Sequence, residues 1–276
     1  MSATPPRPDR GAGRPVRAAA GPGEAALELR GLTKRFGQTY AVAAISLTVP
    51  RGSFFGLVGP NGAGKTTTLR MATGLLRPDA GTALLQGIDI WRRPVDAKRI
   101  IGVVPEELQL FDRLTGSELL TYNGLLRGMD PEVVRARSLE LRSVLGLSDA
   151  ADTLVVDYSH GMKKKIALAC ALLHAPRLLF LDEPFEGIDP VSAHAIRTVL
   201  ERHVRVGATV VFSSHVMEVV ERLCDRVAII DRGHIVADGT LDDVRAGVSL
   251  EERFVRLVGG VTATDGTLAW LDSSSG

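Results

Sequence analysis

The chain has 276 residues, 45% of them hydrophobic and 24% charged, enough to bury the core of one large soluble domain. A net charge of +1 excludes a broadly basic surface for nucleic acid or anionic membranes, so any basic patch must be local. The longest strictly apolar run, IALACALL, falls far short of the roughly 18 to 20 residues of a membrane span.

Residues 1–24 carry five prolines, four arginines and no apolar periodicity, which predicts a disordered basic tail without a signal-peptide core. ALELRGL, AISLTV and SFFGLVG then read as strands, and KTTTLRMATGLL reads as a helix that a Pro-Asp-Ala-Gly turn separates from the strand TALLQG. From about 108 to 165 the spacing is mostly helical, with TGSELLTYNGLL and VVRARSLELRSVLGL as amphipathic pieces, so a helical insert is expected there. Beyond Arg177 strands and helices alternate: LLFLD, PVSAHAIRTVLERHV, ATVVFSS, VMEVVERLC and RVAIID. That alternation implies an α/β core with a mainly parallel sheet. Residues 260–276 read as a C-terminal tail. Cys170 and Cys224 lack metal spacing and sit in or beside apolar runs, the pattern of buried thiols in a reducing compartment.

GPNGAGKTT, residues 59–67, matches the phosphate-loop spacing GxxxxGK[ST], which chance supplies in roughly one chain of this length in a hundred. Its glycines let backbone N–H groups converge on phosphates, while Lys65 reaches the outer oxygens and the Thr66 hydroxyl suits Mg²⁺. LLFLDEP places Asp182 at the end of a buried strand, where it can hold Mg²⁺ through water. Glu183 beside it can deprotonate an attacking water. His215 follows another core strand, at the end where open α/β sheets bind ligands. Three consecutive lysines, at 163, 164 and 165, point around a helix rather than to one face and are expected to be mostly solvated.

From residue 27 to 259 the chain resembles the nucleotide-binding subunit of ABC transporters, with KRFG, GPNGAGKTT, VVPEE, YSHGM, LLFLDEP, EGIDP and SSH in that family's order. The resemblance implies a P-loop NTPase core over 25–259, an N-terminal antiparallel β-subdomain and an inserted helical subdomain at about 108–165. It implies that Phe36 stacks on adenine, and that Gly59, Asn61, Gly62, Gly64, Lys65, Thr66 and Thr67 hold the phosphates of ATP and its Mg²⁺. Glu106 takes the hinge position that senses the γ-phosphate, with permease contact expected over 106–114. Asp182 assists the metal, Glu183 is the general base, His215 touches the γ-phosphate, and Asp189 lies at the subunit contact. YSHGM stands where the family's signature caps ATP held by the opposite subunit, through Ser159, Gly161 and the helix N-terminus.

Activity then needs two copies, or one copy and a similar partner. A separate polytopic permease is the implied membrane partner, and the chain works at the cytoplasmic face. GPNGAGKTTTLRM, the PEE hinge and SLEERFVRL look like subunits of bacterial exporters for drugs, peptides or lipid-like cargo. Two departures stand out: Tyr158, His160 and Met162 replace the usual Leu, Gly and Gln of the signature, and Glu106 stands where Gln is commoner. Glu106 is read as a working metal ligand. The alternative class, a soluble ABC-type ATPase acting on nucleic acid or ribosomes, usually carries two cassettes, a long coiled coil or zinc-binding cysteines. None is present, so no nucleic-acid partner is expected. A module that holds ATP without hydrolysing it would be favoured by a missing Glu183 or His215, and both are there.

Overall fold

The computed structural model describes residues 25–259. The tails expected at 1–24 and 260–276 lie outside the described residues. Strands β1 (Ala25–Phe36) and β2 (Thr39–Pro50) form a long antiparallel hairpin. β3 (Phe54–Val58) is buried along its whole length and feeds the phosphate loop and α1 (Lys65–Ala72). That helix is shorter than its sequence suggests, because Gly74, at φ +72°, turns the chain and lets Leu75 and Leu76 donate back to Arg70 O. β4 (Ala80–Leu85), β5 (Ile88–Asp89), α2 (Pro94–Arg99) and β6 (Ile101–Val104) follow.

Next come α3 (Gly116–Leu126) and α4 (Pro131–Val144). Thr115 and Glu118 form a reciprocal capping box at the start of α3, and Asp130 with Pro131 opens α4. The C-terminal part holds α5 (His160–Leu172), β7 (Leu178–Leu181), α6 (Pro190–Arg205), β8 (Thr209–Ser214) and α7 (Met217–Leu223). β9 (Arg226–Asp231), β10 (His234–Thr240), α8 (Leu241–Arg245) and α9 (Leu250–Val258) complete it.

Two sheets result, a four-stranded antiparallel one in the order β2-β1-β4-β5 and a six-stranded one in the order β10-β9-β3-β8-β7-β6. In the larger sheet β6, β7, β8, β3 and β9 run parallel, and only β10 is antiparallel to its neighbour. Both faces are covered, which is why β3, β7 and β8 read as nearly continuous apolar runs rather than alternating ones. Phe55, Leu57 and Phe180 pack toward the antiparallel sheet and α1, whereas Phe54, Val58 and Phe212 pack among the residues of α3, α5, α6 and α7. Each buried aromatic of this kind stabilises the fold by about 2–3 kcal/mol.

The register is what positions the site. Val58 pairs with Ser214, and Leu181 pairs with both Phe212 and Val104, so four adjacent parallel strands end along one edge. The residues that follow them, the phosphate loop, His215, Asp182 with Glu183, and Glu106, are delivered side by side. Neither Cys170 nor Cys224 is in a disulfide; Cys224 is buried and Cys170 only partly so. Among the described residues no helix is long and apolar enough to cross a membrane.

Candidate functional site

The loop between β3 and α1 wraps a cavity of about 360 Å³. Gly64 caps α1 at φ +106°, a conformation that favours glycine, and a Cβ there would meet Ala41 O at 2.3 Å. Gly59 lies deeper, where a Cβ would meet Ile230 O at 2.4 Å. The loop is also tied from outside: Gly233, in the turn between β9 and β10, donates from its N–H to Ala63 O at 2.9 Å and accepts from Ala43 N–H at 2.9 Å.

Of the residues singled out in the sequence, Asn61, Gly62, Gly64, Lys65, Thr66, Thr67, Glu106, Glu183 and His215 line this cavity. Lys65 folds over its own loop, donating from Nζ to Gly59 O at 2.8 Å and to Pro60 O at 3.3 Å. The same Nζ lies 3.4 Å from Glu183 Oε1, with the two side chains only 6% and 7% exposed. Glu183 Oε2 is 3.1 Å from His215 Nδ1, so one carboxylate sits between a lysine and a histidine. Its Oε1 is buried and makes no hydrogen bond, with the Lys65 ammonium as its charged neighbour.

Glu183 is also strained in its backbone, at φ +46°, a left-handed conformation that costs a residue with a side chain about 1–3 kcal/mol. Ser213 Oγ accepts from Glu183 N–H at 2.9 Å and donates to Asp182 Oδ1 at 2.5 Å, linking both acids to β8. Asp182 is buried and does not line the cavity, and burial pushes its carboxyl above the usual range against hydrogen bonds from Ser213 and Thr66. Thr66 Oγ1 donates to Glu106 Oε2 at 3.3 Å.

Among the described residues no group of three or more His, Cys, Asp and Glu side chains is gathered to hold a metal ion. The set around Thr66, with its hydroxyl reaching toward two carboxyls, is nonetheless the hard-oxygen donor type that suits Mg²⁺ when phosphates and water complete the shell.

Phe36 ends β1, 53% exposed and with Lys34 Nζ 5.7 Å from its ring centre, and is not part of the cavity wall. Ser159, Gly161 and Asp189 are also absent from that wall and form a second group. Ser159 caps α5, its Oγ accepting from Met162 N–H at 3.2 Å. Asp189 caps α6, accepting from Val191 and Ser192 N–H at 3.0 and 2.9 Å, and these contacts, led by Ser192, hold its carboxyl below the usual range. Gly161 packs against the start of α6: a Cβ on it would lie 3.0 Å from Ser192 Oγ and 3.2 Å from Asp189 Oδ2.

Three features went unread in the sequence. Glu186 joins the cavity wall, Ser213 braces both acids, and Lys164 is buried rather than solvated. Lys164 shares the face of Gly161, Leu168 and Leu172, all buried, so the helical period of four turns it inward while Lys163 and Lys165 stay half-exposed.

Comparison with known proteins gives four findings. Residues 42–186 match the family model described as ABC transporter. The chain is 39% identical over 232 residues to the daunorubicin/doxorubicin resistance ATP-binding protein DrrA of Streptomyces peucetius, covering 84% of this chain and 70% of that protein. Among solved structures, an ATP-binding subunit of an ABC transporter superposes with a TM-score of 0.79 at 32% identity, over 84% of this chain and 99% of the other. A dimeric ATP-binding cassette in a post-hydrolysis state, bound to ADP and Pi, superposes with a TM-score of 0.72 at 25% identity, over 78% and 98%.

Proposed function

This chain belongs to the ATP-binding subunits of ABC transporters, and from that premise we propose that it drives cargo outward through a separate polytopic membrane chain by closing and opening as a dimer around ATP. It binds and hydrolyses ATP. The observation that carries the reading is the meeting of Lys65, Glu183 and His215 on one cavity at the ends of adjacent parallel strands.

In this reading the backbone N–H groups of Gly62, Gly64 and Lys65, with Asn61 and Thr67 alongside, receive the phosphates, and the Lys65 ammonium turns from the Gly59 and Pro60 carbonyls to the outer oxygens. Glu183 takes the proton of the attacking water, and His215 on its other oxygen orients the carboxylate and reaches the terminal phosphate. Thr66, Glu106 and Asp182 would hold Mg²⁺, which when bound neutralises charge building on the phosphate oxygens. Phe36, beside the turn of the β1–β2 hairpin, offers a face for adenine.

Ser159, Gly161 and Asp189 stand apart from the cavity of their own subunit, which supports their use at the nucleotide held by a second copy or a similar subunit. The drug-resistance protein among its relatives supports the outward direction. The subunit works at the cytoplasmic face of the membrane, and its near-neutral charge supports a protein rather than a nucleic-acid partner. Capture of the tagged chain from detergent-solubilised membranes is expected to bring down a stoichiometric polytopic partner with ATPase activity. Recovery with ribosomes or nucleic acid instead would overturn the transport reading.

A further inference from the structure

The ammonium of Lys164 donates to Glu183 O at 2.7 Å and to Glu186 O at 2.8 Å, with the side chain 6% exposed. These two carbonyls end one tight turn, closed by Glu186 N–H donating to Glu183 O at 3.3 Å. The turn begins at the strained backbone of Glu183 and runs on to Asp189. A charged donor on both of its ends holds that conformation more firmly than neutral hydrogen bonds would. The same pieces also approach closely at two further places: a Cβ on Gly161 would lie 3.0 Å from Ser192 Oγ and 3.2 Å from Asp189 Oδ2, and one on Gly187 would lie 3.5 Å from His160 Nε2. The first turn of α5 and residues 183–192 are thus joined by the Lys164 ammonium and lie against each other at two more places within one subunit.

We propose that Lys164 is a positioning residue for hydrolysis: it fixes the turn over residues 183–186, and so transmits the placement of the α5 N-terminus to the carboxylate of Glu183 in the same subunit. This rests on the reading above, in which Glu183 activates water and Ser159 and Gly161 cap the nucleotide of the opposite subunit. Under it, each subunit carries a rigid link between the cap it lends to one site and the base it uses in the other.

Burial lowers the pKa of the Lys164 ammonium, while Glu186, Glu183, Glu106 and Asp182 pull it back up, so acids surround a cation that also serves main-chain acceptors. No neutral side chain of similar length supplies two charged donors to both carbonyls.

The test is Lys164→Met in the full chain purified with its membrane partner, beside Lys164→Arg and Glu183→Gln. The expected result is a loss of about 10²-fold in kcat, the cost of displacing a reacting group by about 1 Å, with KM for ATP unchanged within about threefold. In the Glu183→Gln background, Lys164→Met still forms the ATP-bound dimer, showing that α5 and its cap are intact. Lys164→Arg, whose fork supplies donors to both carbonyls, recovers turnover to within about tenfold of the parent.

The proposal is overturned if Lys164→Met hydrolyses ATP at the parent rate while Glu183→Gln is inactive. It is equally overturned if turnover and the ATP-bound dimer are lost together, which assigns Lys164 to folding alone. Turnover by Glu183→Gln itself would remove the base assignment, and the proposal with it.

Discussion

Replacing Glu183 by Gln keeps the shape of the side chain and removes both its charge and its capacity to accept a proton. The first effect is on turnover: losing a positioned general base lowers kcat by about 10²–10⁴-fold. The second is on binding, and it follows from a contact within the site. Lys65 Nζ lies 3.4 Å from Glu183 Oε1, so phosphate must compete with this carboxylate for the ammonium. A unit-charge pair at that distance is worth about 5 kcal/mol at an effective dielectric of about 20. Desolvation cancels most of that for two side chains as buried as these, leaving about 1.4 kcal/mol, a tenfold factor in Kd. The same substitution removes repulsion between Glu183 and the terminal phosphate, which acts in the same direction. Glu183→Gln is therefore expected to be inactive in single-turnover hydrolysis and to bind ATP about tenfold more tightly in equilibrium titration. Hydrolysis within tenfold of the parent, or weakened binding, would refute the reasoning.

Glu106→Gln is expected to raise the Mg²⁺ concentration for half-maximal ATPase activity about tenfold, because Thr66 and Asp182 alone then supply the protein's donors; an unchanged rate and Mg²⁺ profile would remove Glu106 from the metal set. Gly116→Ala would place a Cβ 2.1 Å from Tyr158 Oη, whose hydroxyl donates to Ala150 O at 2.7 Å. The expected cost is about 1–3 kcal/mol, a drop of roughly 2–6 °C in Tm by calorimetry, and an unshifted Tm would contradict the packing of Gly116 against Tyr158. His174 donates from Nε2 to Ile101 O at 2.8 Å while its Nδ1 is buried without a partner; burial, reinforced by Arg127, pushes its pKa down to about 4. Its unfolded value is near 6.5, so the unfolded chain binds more protons between these limits, and stability present above pH 6.5 is lost as pH falls toward 4. Urea unfolding of the parent and His174→Asn across that range checks this, with a shallower pH slope expected in the variant.

The parts of the site legible in the sequence are those whose chemistry is local. The phosphate loop and the strand-end pair Asp182 and Glu183 announce themselves because a glycine run and two acids follow apolar strands directly. Their mutual approach was legible only through strand order, since parallel strands end on one edge. Lys164 was not legible as a buried group: its acceptors are main-chain carbonyls 19 and 22 residues away, which leave no side-chain pattern. Glu186 likewise depends on how the turn after Glu183 folds back. In the fold, the core strands stood out by their apolar runs, whereas α2 and β10 did not, the first being short and half charged, the second carrying polar and small residues on a sheet edge.

The strand that carries the phosphate loop is early in the chain, yet both of its sheet neighbours are late: Val58 pairs with Ser214 and with Ile229. At a synthesis rate of about 5–20 residues per second, β3 leaves the ribosome roughly 8–30 s before β8 is made. During that interval the nascent chain holds a wholly apolar strand whose sheet partners do not yet exist, the kind of segment that exposes aggregation-prone surface during synthesis. The loop after β3 is translated early, while the strands that flank it in the finished sheet are translated late.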